Sequence, residues 1–309
     1  MTPGGALYLG VDLGSTTAKA VVVDDDGTIR AASTVQMGAV SRRGMQRAVD
    51  EALTEAGTTA AGITRTVSTG YGRRLVPGAD RSYTEITCHA RGTTAMCPGV
   101  RLVVDIGGQD SKAITVGPDG LVDDFAMNDR CASGTGRFYD VLARALECSL
   151  DDLGPLALTG GEDLEVSSMC ATFAETEIVS LMAQDLPVAD IAASVHRAIA
   201  ARTLALVAQV GRRTPVVLTG GVARNPAAVH FLAEALGTQV RVPAHPQITG
   251  AFGAALIARD AAGSAPAAAV ADVDDPHQVG VGHAAPGHSC AGCNGQPSAV
   301  VQLGPVRSR

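Results

Sequence analysis

The chain contains one segment twice, at a constant spacing of 93 residues. Residues 9–27 match residues 102–120 without a gap. The positions that the two copies share are Leu9/Leu102, Val11/Val104, Asp12/Asp105, Gly14/Gly107, Lys19/Lys112, Ala20/Ala113, Val23/Val116, Asp26/Asp119 and Gly27/Gly120. Self-similarity at a fixed offset indicates duplicated structural units. We therefore expect the same local structure to occur twice in the fold.

Each copy is predicted to be a β-hairpin. An apolar run ends in Asp12 or Asp105, a turn of small residues follows, and a second β-branched run closes at Asp-Gly, which is a hairpin turn signal. The glycines at 14, 107 and 108 let the backbone approach a ligand with its N–H groups exposed, an arrangement that suits phosphate. One such hairpin is usually a surface turn. Two in register predict phosphate loops on both sides of a nucleoside triphosphate.

The two repeated carboxylates are predicted to act through a metal ion or a water molecule. Asp12 and Asp105 carry the same charge as phosphate and would repel it. Mg²⁺ keeps several waters and takes one or two carboxylates besides phosphate oxygens. The sequence therefore predicts that these carboxylates hold hydrated Mg²⁺ or orient a water.

Composition narrows the class of protein. With 309 residues and 46% hydrophobic residues, the chain is long enough to bury a core in two domains. A net charge of −7 and the lack of Trp argue against a nucleic-acid partner. No apolar stretch approaches the ~20 residues of a membrane span, and the N-terminus has no basic segment before an apolar one. We expect a cytoplasmic protein without membrane association, in which the seven cysteines are reduced thiols, ligands or catalysts.

Alternating strand and helix patterns predict an α/β fold. Besides the two hairpins, strands are predicted at 64–68 and 239–242, and helices at 44–56, 83–95, 136–147, 170–184, 188–211 and 250–262. Residues 215–226 are predicted to form a buried strand, a glycine turn and a helix start, with Asn225 as N-cap and Pro226 at the first helical position. Residues 263–309 lack periodicity and are rich in Ala, Pro, Gly, His and Asp, so they are predicted to be disordered or linker-like.

The two hairpins and residues 218–225 resemble the two phosphate motifs and the adenosine motif of the superfamily that contains acetate and sugar kinases, heat-shock chaperones and actin. The resemblance implies two actin-like (ribonuclease H-like) domains with a nucleotide cleft between them. The first would comprise residues 1–95 joined by the C-terminal helix 250–262, and the second residues 96–249. Gly220 and Gly221 would then lie beside the nucleoside.

Within that superfamily, four stretches resemble the activators of 2-hydroxyacyl-CoA dehydratases and the ATPase subunits of benzoyl-CoA reductase, the BadF/BadG/BcrA/BcrD type. They are residues 104–112, 127–138, 167–177 and 218–225. The resemblance implies an ATPase that drives a low-potential electron from an iron–sulfur cluster into a partner dehydratase or reductase, with ferredoxin or flavodoxin as electron donor. Domain rotation driven by the nucleotide would alter the exposure or potential of the cluster.

Two cysteines carry the most specific part of this resemblance. In that family each subunit of a homodimer gives two cysteines to one 4Fe-4S cluster at the dimer interface, and the matching positions are Cys131 and Cys170. Such a cluster needs four thiolates, so the chain must dimerise or find others; a heterodimer with a related subunit would serve equally well. Each cysteine is predicted at the start of a helix, with Ser167 or Ser168 as cap of the second, where N–H groups would stabilise thiolates.

The predicted nucleotide site combines these assignments. Asp12 and Asp105 serve the metal and the attacking water, with Gln109 as the group that positions this water. Lys19 counters the phosphate charge. The residues around the nucleotide are Gly14, Ser15, Thr16, Thr17, Lys19, Gly107, Gly108, Gly220 and Gly221.

Two other functions fit parts of the pattern. A small-molecule kinase of the same superfamily would use Asp105 as general base, and a non-enzymatic scaffold or regulator would need neither Cys131 nor Cys170. The remaining cysteines of the core, Cys88, Cys97 and Cys148, are predicted to be structural. In the tail, His283, His288, Cys290 and Cys293 are either incidental or ligands of zinc or another metal.

Overall fold

Two five-stranded mixed sheets with the same strand order form the framework of the molecule. The first contains β1 (Leu7–Leu13), β2 (Thr17–Val23), β3 (Ile29–Gln36), β4 (Ile63–Thr69) and β5 (Arg81–Ser82). The second contains β6 (Leu102–Ile106), β7 (Ser111–Val116), β8 (Val122–Asn128), β9 (Val216–Thr219) and β10 (Val240–Arg241). Their orders are β3-β2-β1-β4-β5 and, read in the same direction, β8-β7-β6-β9-β10. The repeat in the sequence thus corresponds to the repetition of a whole sheet.

The computed structural model describes residues 5–38, 40–128, 134–164, 166 and 171–262, all of which belong to one compact unit. Its helices are α1 (Arg42–Glu55), α2 (Glu85–Met96), α3 (Gly136–Ala145), α4 (Leu150–Ala157), α5 (Ala171–Met182), α6 (Val188–Val210), α7 (Pro226–Leu236) and α8 (Thr249–Ala262). The predicted α/β class is confirmed. The division at residues 95/96 and 249/250 stays a prediction, as does the character of the tail, which lies outside the described residues.

The pairing within each sheet explains why the repeat reads as a hairpin. β2 pairs antiparallel with both β1 and β3, whereas β4 pairs parallel with both β1 and β5. In the second sheet β7 likewise pairs antiparallel with β6 and β8, and β9 pairs parallel with β6 and β10. The central strands β1 and β6 are buried along most or all of their length, which suits their near-continuous apolar sequences.

Helices α2 and α8 connect the two sheets through an unusually close contact. A Cβ on Gly253 of α8 would overlap the carbonyl oxygen of Cys88 in α2, and a Cβ on Gly92 would overlap that of Thr249. Only glycine allows this approach. α8 also packs on β1, β2 and β4, while α2 contacts β6, β7 and β8. The helix pair therefore joins the core of the first sheet to the second.

The long apolar helix α6 is a core helix. By length and composition alone it could cross a membrane, but 61% of its most apolar 18-residue stretch is buried in the protein. It packs against α4, α7, β7 and β8. Its apolar character is thus accounted for by the core of the second sheet.

Most predicted elements agree with the structure to within a few residues, and the predicted cap of α7 is confirmed. The Asn225 side chain accepts hydrogen bonds from the backbone N–H groups of Ala227 and Ala228 at 2.9 and 3.2 Å. The prediction lacked β3, β5, β8 and α4. β8 is largely exposed and has no apolar run, and α4 contains Gly154 and Pro155, which both have poor helix propensity.

Candidate nucleotide site

The two hairpins place an aspartate opposite a lysine at the same point of each sheet. Asp12 pairs with Lys19 across β1 and β2, and Asp105 pairs with Lys112 across β6 and β7. The turns close alike: the N–H of Gly14 donates to the carbonyl of Thr17 at 3.0 Å, as the N–H of residue 107 does to that of residue 110 at 2.9 Å. The predicted duplication of the hairpin is confirmed.

The turns of the two hairpins lie against each other. A Cβ on Gly108 would overlap the side-chain hydroxyl of Thr16. Ser15 and Thr16 form the first turn, and Gln109 lies half-buried in the second. The structure therefore brings together the backbone segments that the sequence predicts on the two sides of a triphosphate.

In the first hairpin, the carboxylate of Asp12 is only 3% exposed and accepts a hydrogen bond from Nζ of Lys19 at 3.0 Å. Burial disfavours the charged amine of Lys19, but Asp12, with smaller contributions from Asp105 and Glu85, raises the pKa of this lysine. Its side chain stays 16% exposed. Lys19 is therefore a charged group at the edge of the site, as its predicted role toward phosphate requires.

In the second hairpin, Lys112 is held by three carboxylates. Its Nζ lies 2.8 Å from Oε2 of Glu85 and 3.5 Å from Oδ2 of Asp105, and it also contacts Asp110. Burial opposes the charge, but Glu85, Asp110 and Asp105 together raise the pKa of Lys112 well above its usual value. Since the side chain is only 2% exposed, the charge of Lys112 balances those of the three carboxylates. Of the two equivalent lysines, Lys19 is the accessible one.

Asp105 is the most constrained group of the site. Oδ1 accepts a hydrogen bond from the hydroxyl of Thr219 at 2.8 Å and lies 3.3 Å from Nδ1 of His89. Burial alone would raise the pKa of this carboxyl, but His89, Lys112 and Thr219 lower it to about 2. Asp105 is thus ionised at neutral pH, which suits a metal or water ligand better than a general base.

The donor set of the site fits Mg²⁺. Asp12 and Asp105 are buried carboxylates at the ends of β1 and β6, next to the two turns. Among the described residues, no group of three or more His, Cys, Asp or Glu side chains is arranged to hold a metal ion. Mg²⁺ needs no such group, because phosphate oxygens and waters supply its other ligands.

The third predicted segment lies beside the second hairpin. Gly220 has φ +86°, and a Cβ there would overlap the carbonyl oxygen of Ile106, so this position requires glycine. Its N–H donates to the carbonyl of Pro246 at 2.9 Å. The preceding Thr219 binds Asp105, which links the predicted nucleoside residues Gly220 and Gly221 to the predicted metal site.

The second turn is also bonded to the start of α3. The N–H groups of Gly136 and Arg137 donate to the carbonyls of Gly107 and Gly108 at 2.8 and 2.9 Å. α3 begins at Gly136, where the sequence predicts a helix, five residues after Cys131 in the sequence. α5 begins directly after Cys170, and α3 packs against α5.

The predicted cluster ligands Cys131 and Cys170 lie outside the described residues, as do Ser167, Ser168, His283, His288, Cys290 and Cys293. The other three cysteines are free thiols. Cys88 and Cys97 are buried and Cys148 is half-buried. Burial raises the pKa of Cys88 to about 12, so its thiol is unreactive at neutral pH. These positions agree with the structural role that the sequence predicts for them.

Sequence reasoning missed several side chains that surround Asp105 and Lys112. Lys112 stood in the repeat as the partner of Lys19 and could have been recognised from it. His89, Glu85 and Thr249 carry no local motif, and Thr249 is 160 residues from His89. Only the packing of α2 and α8 brings them to the site.

Comparison with known proteins agrees with this geometry. Residues 9–258 match the family model described as the BadF/BadG/BcrA/BcrD ATPase family. The chain is 44% identical over 254 residues to the activator of lactoyl-CoA dehydratase from Anaerotignum propionicum, which covers 82% of this chain and 98% of that one.

Two solved structures have the same fold. The (R)-2-hydroxyglutaryl-CoA dehydratase component A from Acidaminococcus fermentans superposes with a TM-score of 0.81 at 39% identity, covering 84% of this chain and 100% of that one. The activator of the 2-hydroxyisocaproyl-CoA dehydratase from Clostridium difficile, with bound ADPNP, superposes with a TM-score of 0.80 at 38% identity, covering 83% and 96%. The protein therefore belongs to the BadF/BadG/BcrA/BcrD ATPase family.

Proposed function

We propose that this protein is an ATP-dependent electron-transfer activator. It hydrolyses ATP to drive a low-potential electron from an iron–sulfur cluster into a partner enzyme of the 2-hydroxyacyl-CoA dehydratase or benzoyl-CoA reductase type. The observation that carries the proposal is the pair of equivalent Asp–Lys hairpins in a chain that is 44% identical to a dehydratase activator. The overall net charge and the buried position of α6 accord with a protein that binds neither nucleic acid nor membrane and works in the cytoplasm.

The nucleotide would bind between the two turns. The turns at residues 14–17 and 107–109 surround its phosphates, with the N–H groups of Gly14 and Gly107 closing the turns themselves. Lys19 neutralises charge, and Gly220 and Gly221 lie beside the nucleoside. When bound, Mg²⁺ would neutralise phosphate charge and orient its waters. Asp12 and Asp105 would hold it, and Gln109 would position the water that converts ATP to ADP and phosphate. The analogue ADPNP bound to a relative supports the ATP assignment.

Two pairs of cysteines, Cys131 and Cys170 from each of two subunits, would hold the 4Fe-4S cluster, which supplies a one-electron carrier. The chain's own coupling runs through the second turn. The carbonyls of Gly107 and Gly108 accept hydrogen bonds from the first N–H groups of α3, so a shift of this turn on hydrolysis moves the helix that follows the Cys131 segment. α3 packs on α5, which follows Cys170.

One electron enters from ferredoxin or flavodoxin and leaves to the partner enzyme. A potential change of ~60 mV for one electron corresponds to ~1.4 kcal/mol, so modest differential binding of ATP and ADP is enough to alter the redox balance. A homodimer satisfies the four-thiolate requirement, and an exposed cluster of this kind makes the protein sensitive to oxygen.

The kinase alternative is disfavoured by the surroundings of Asp105. A general base near a substrate hydroxyl needs a pKa close to the working pH. Three positive or hydrogen-bonding neighbours, His89, Lys112 and Thr219, hold the pKa of Asp105 at about 2. This carboxylate is a poor proton acceptor.

The test is anaerobic purification with measurement of iron, sulfide and molecular mass. The proposal expects brown protein with about four irons per two chains, and ATP hydrolysis without a phosphorylated product. Cys131→Ser and Cys170→Ser should each abolish iron binding and partner reduction. Cys148→Ser is the matched control, since this half-buried thiol is assigned no ligand role. Absence of iron after anaerobic reconstitution, or full activity of both ligand variants, would contradict the proposal.

A further inference from the structure

The imidazole of His89 is buried beside Asp105 and has no role in the proposed function. His89 lies on α2, one turn after Glu85, and is 6% exposed. Its Nδ1 lies 3.1 Å from the hydroxyl of Thr249, the first residue of α8, and 3.3 Å from Oδ1 of Asp105. One ring nitrogen thus meets side chains from α8 and from β6.

The other nitrogen of the same ring lies near Gly250, as does the other carboxylate. Nε2 of His89 lies 2.9 Å from the point that a Cβ on Gly250 would occupy, and Oδ2 of Asp12 lies 3.2 Å from that point. Any side chain at residue 250 would be forced between the imidazole and Asp12. His89 therefore stands between Asp12 and Asp105, and the glycine leaves the space between them open.

The proton arrangement follows from the acceptors. An ionised carboxylate only accepts hydrogen bonds, so the Nδ1 that faces Asp105 must carry hydrogen to attract it. The Thr249 hydroxyl can accept that hydrogen while donating its own to the carbonyl of Pro246, 3.5 Å away. The Nδ1–H group then lies beside Oδ1 of Asp105, the same oxygen that accepts the hydrogen bond from Thr219.

We propose that His89 is a positioning residue for the ATPase reaction: its Nδ1–H, held by Thr249, fixes the orientation of the Asp105 carboxylate relative to Asp12. This rests on the proposed function only in assigning Asp105 to the Mg²⁺ and water site. This role requires a hydrogen-bond donor at the position of Nδ1 and no particular group at the position of Nε2. This role also accounts for the close approach of α2 and α8, because α2 supplies His89 and α8 supplies Thr249.

Three substitutions separate this role from simple packing. The amide nitrogen of His89→Asn can occupy the place of Nδ1, that of His89→Gln reaches instead toward the place of Nε2, and His89→Leu only fills the space. ATP hydrolysis is measured over a range of ATP concentrations, with circular dichroism and thermal unfolding as checks of folding. For His89→Asn we expect kcat within about threefold of the wild type, and for the Gln and Leu variants a loss of kcat of about 10–100-fold at a nearly unchanged KM.

A second pair of variants leaves the imidazole in place. Thr249→Val removes the hydroxyl at nearly constant shape and should lower kcat without raising KM, whereas Thr249→Ser should retain activity. If all three His89 variants retain the wild-type kcat, or if all three lose activity because they unfold, His89 only fills space and the proposal is overturned. A rise in KM alone would overturn it too. Failure of the wild type to bind iron or reduce a partner would contradict the proposed function and leave this comparison intact.

Discussion

Acidification should destabilise the fold through one buried histidine, His196 of α6. Its side chain is 1% exposed. Nδ1 donates to the carbonyl of Ala192 at 2.7 Å, which leaves Nε2 as acceptor for the amide of Asn225 at 3.0 Å. The orientation of that amide is fixed, because its oxygen caps α7. A second proton on His196 would face an N–H donor in a buried site.

The magnitude follows from linkage. Burial lowers the pKa of His196 from 6.5 to about 4, against the smaller opposite effect of the hydrogen bond to the carbonyl of Ala192. The unfolded chain therefore binds more protons than the folded one between these two values, so stability is present above pH 6.5 and is lost as the pH falls toward 4. At 1.36 kcal/mol per pKa unit, the loss between pH 7 and pH 5 from this group is about 2 kcal/mol.

The assay is urea unfolding of the full chain, followed by circular dichroism at pH 7 and pH 5. His196→Gln cannot titrate, so its free energy of unfolding should fall by about 2 kcal/mol less than that of the wild type over this interval. His230→Gln is the matched control, because it removes an exposed imidazole from the same region and leaves the Asn225 contact intact. It should behave as the wild type does. Equal pH dependence of the wild type and His196→Gln would refute the reasoning.

Three further substitutions test the helix contact and the two lysines. Gly253→Ala should lower the free energy of unfolding by about 1–3 kcal/mol in urea, because the added methyl forces α2 and α8 apart. Gly161→Ala is the control, since no atom lies within 4 Å of its Cβ position. Equal effects of the two substitutions would contradict the close contact. Lys112→Met should cost about 3–5 kcal/mol in the same unfolding measurement because it leaves buried carboxylates unpaired. Arg47→Met, which removes the exposed pair with Glu51, should change stability little, and equal losses for the two variants would contradict the role of burial. Lys19→Met should raise the KM for ATP about tenfold; an unchanged KM in steady-state kinetics would remove Lys19 from the phosphate site.

The repeat contained most of the information about the sheets. Asp12/Lys19 and Asp105/Lys112 are cross-strand pairs, so their relation is local and appears directly as a spacing in the sequence. The cap at Asn225 and the glycine turn at Gly220 are local too. Each of these was predictable because a few neighbouring residues decide the conformation.

The surroundings of Asp105 were not predictable in this way. His89 and Thr249 meet there because α2 and α8 pack against each other, and this contact depends on glycines that read as ordinary helix positions in the sequence. β8 was missed for another reason: Asp123 and Asp124 interrupt its apolar pattern where the strand is exposed. The packing of two helices decided the first case, and the pairing of β8 with β7 decided the second.

The coupling between nucleotide and cluster is tested most directly by the reduction potential of the anaerobic protein, measured once with Mg-ADP and once with Mg²⁺ and a non-hydrolysable ATP analogue. A coupling free energy of about 1–3 kcal/mol corresponds to a difference of roughly 45–130 mV between the two midpoint potentials. We expect a difference in this range for the wild type and a much smaller one for Asp105→Asn. Identical midpoints in the two nucleotide states of the wild type would contradict the proposed coupling.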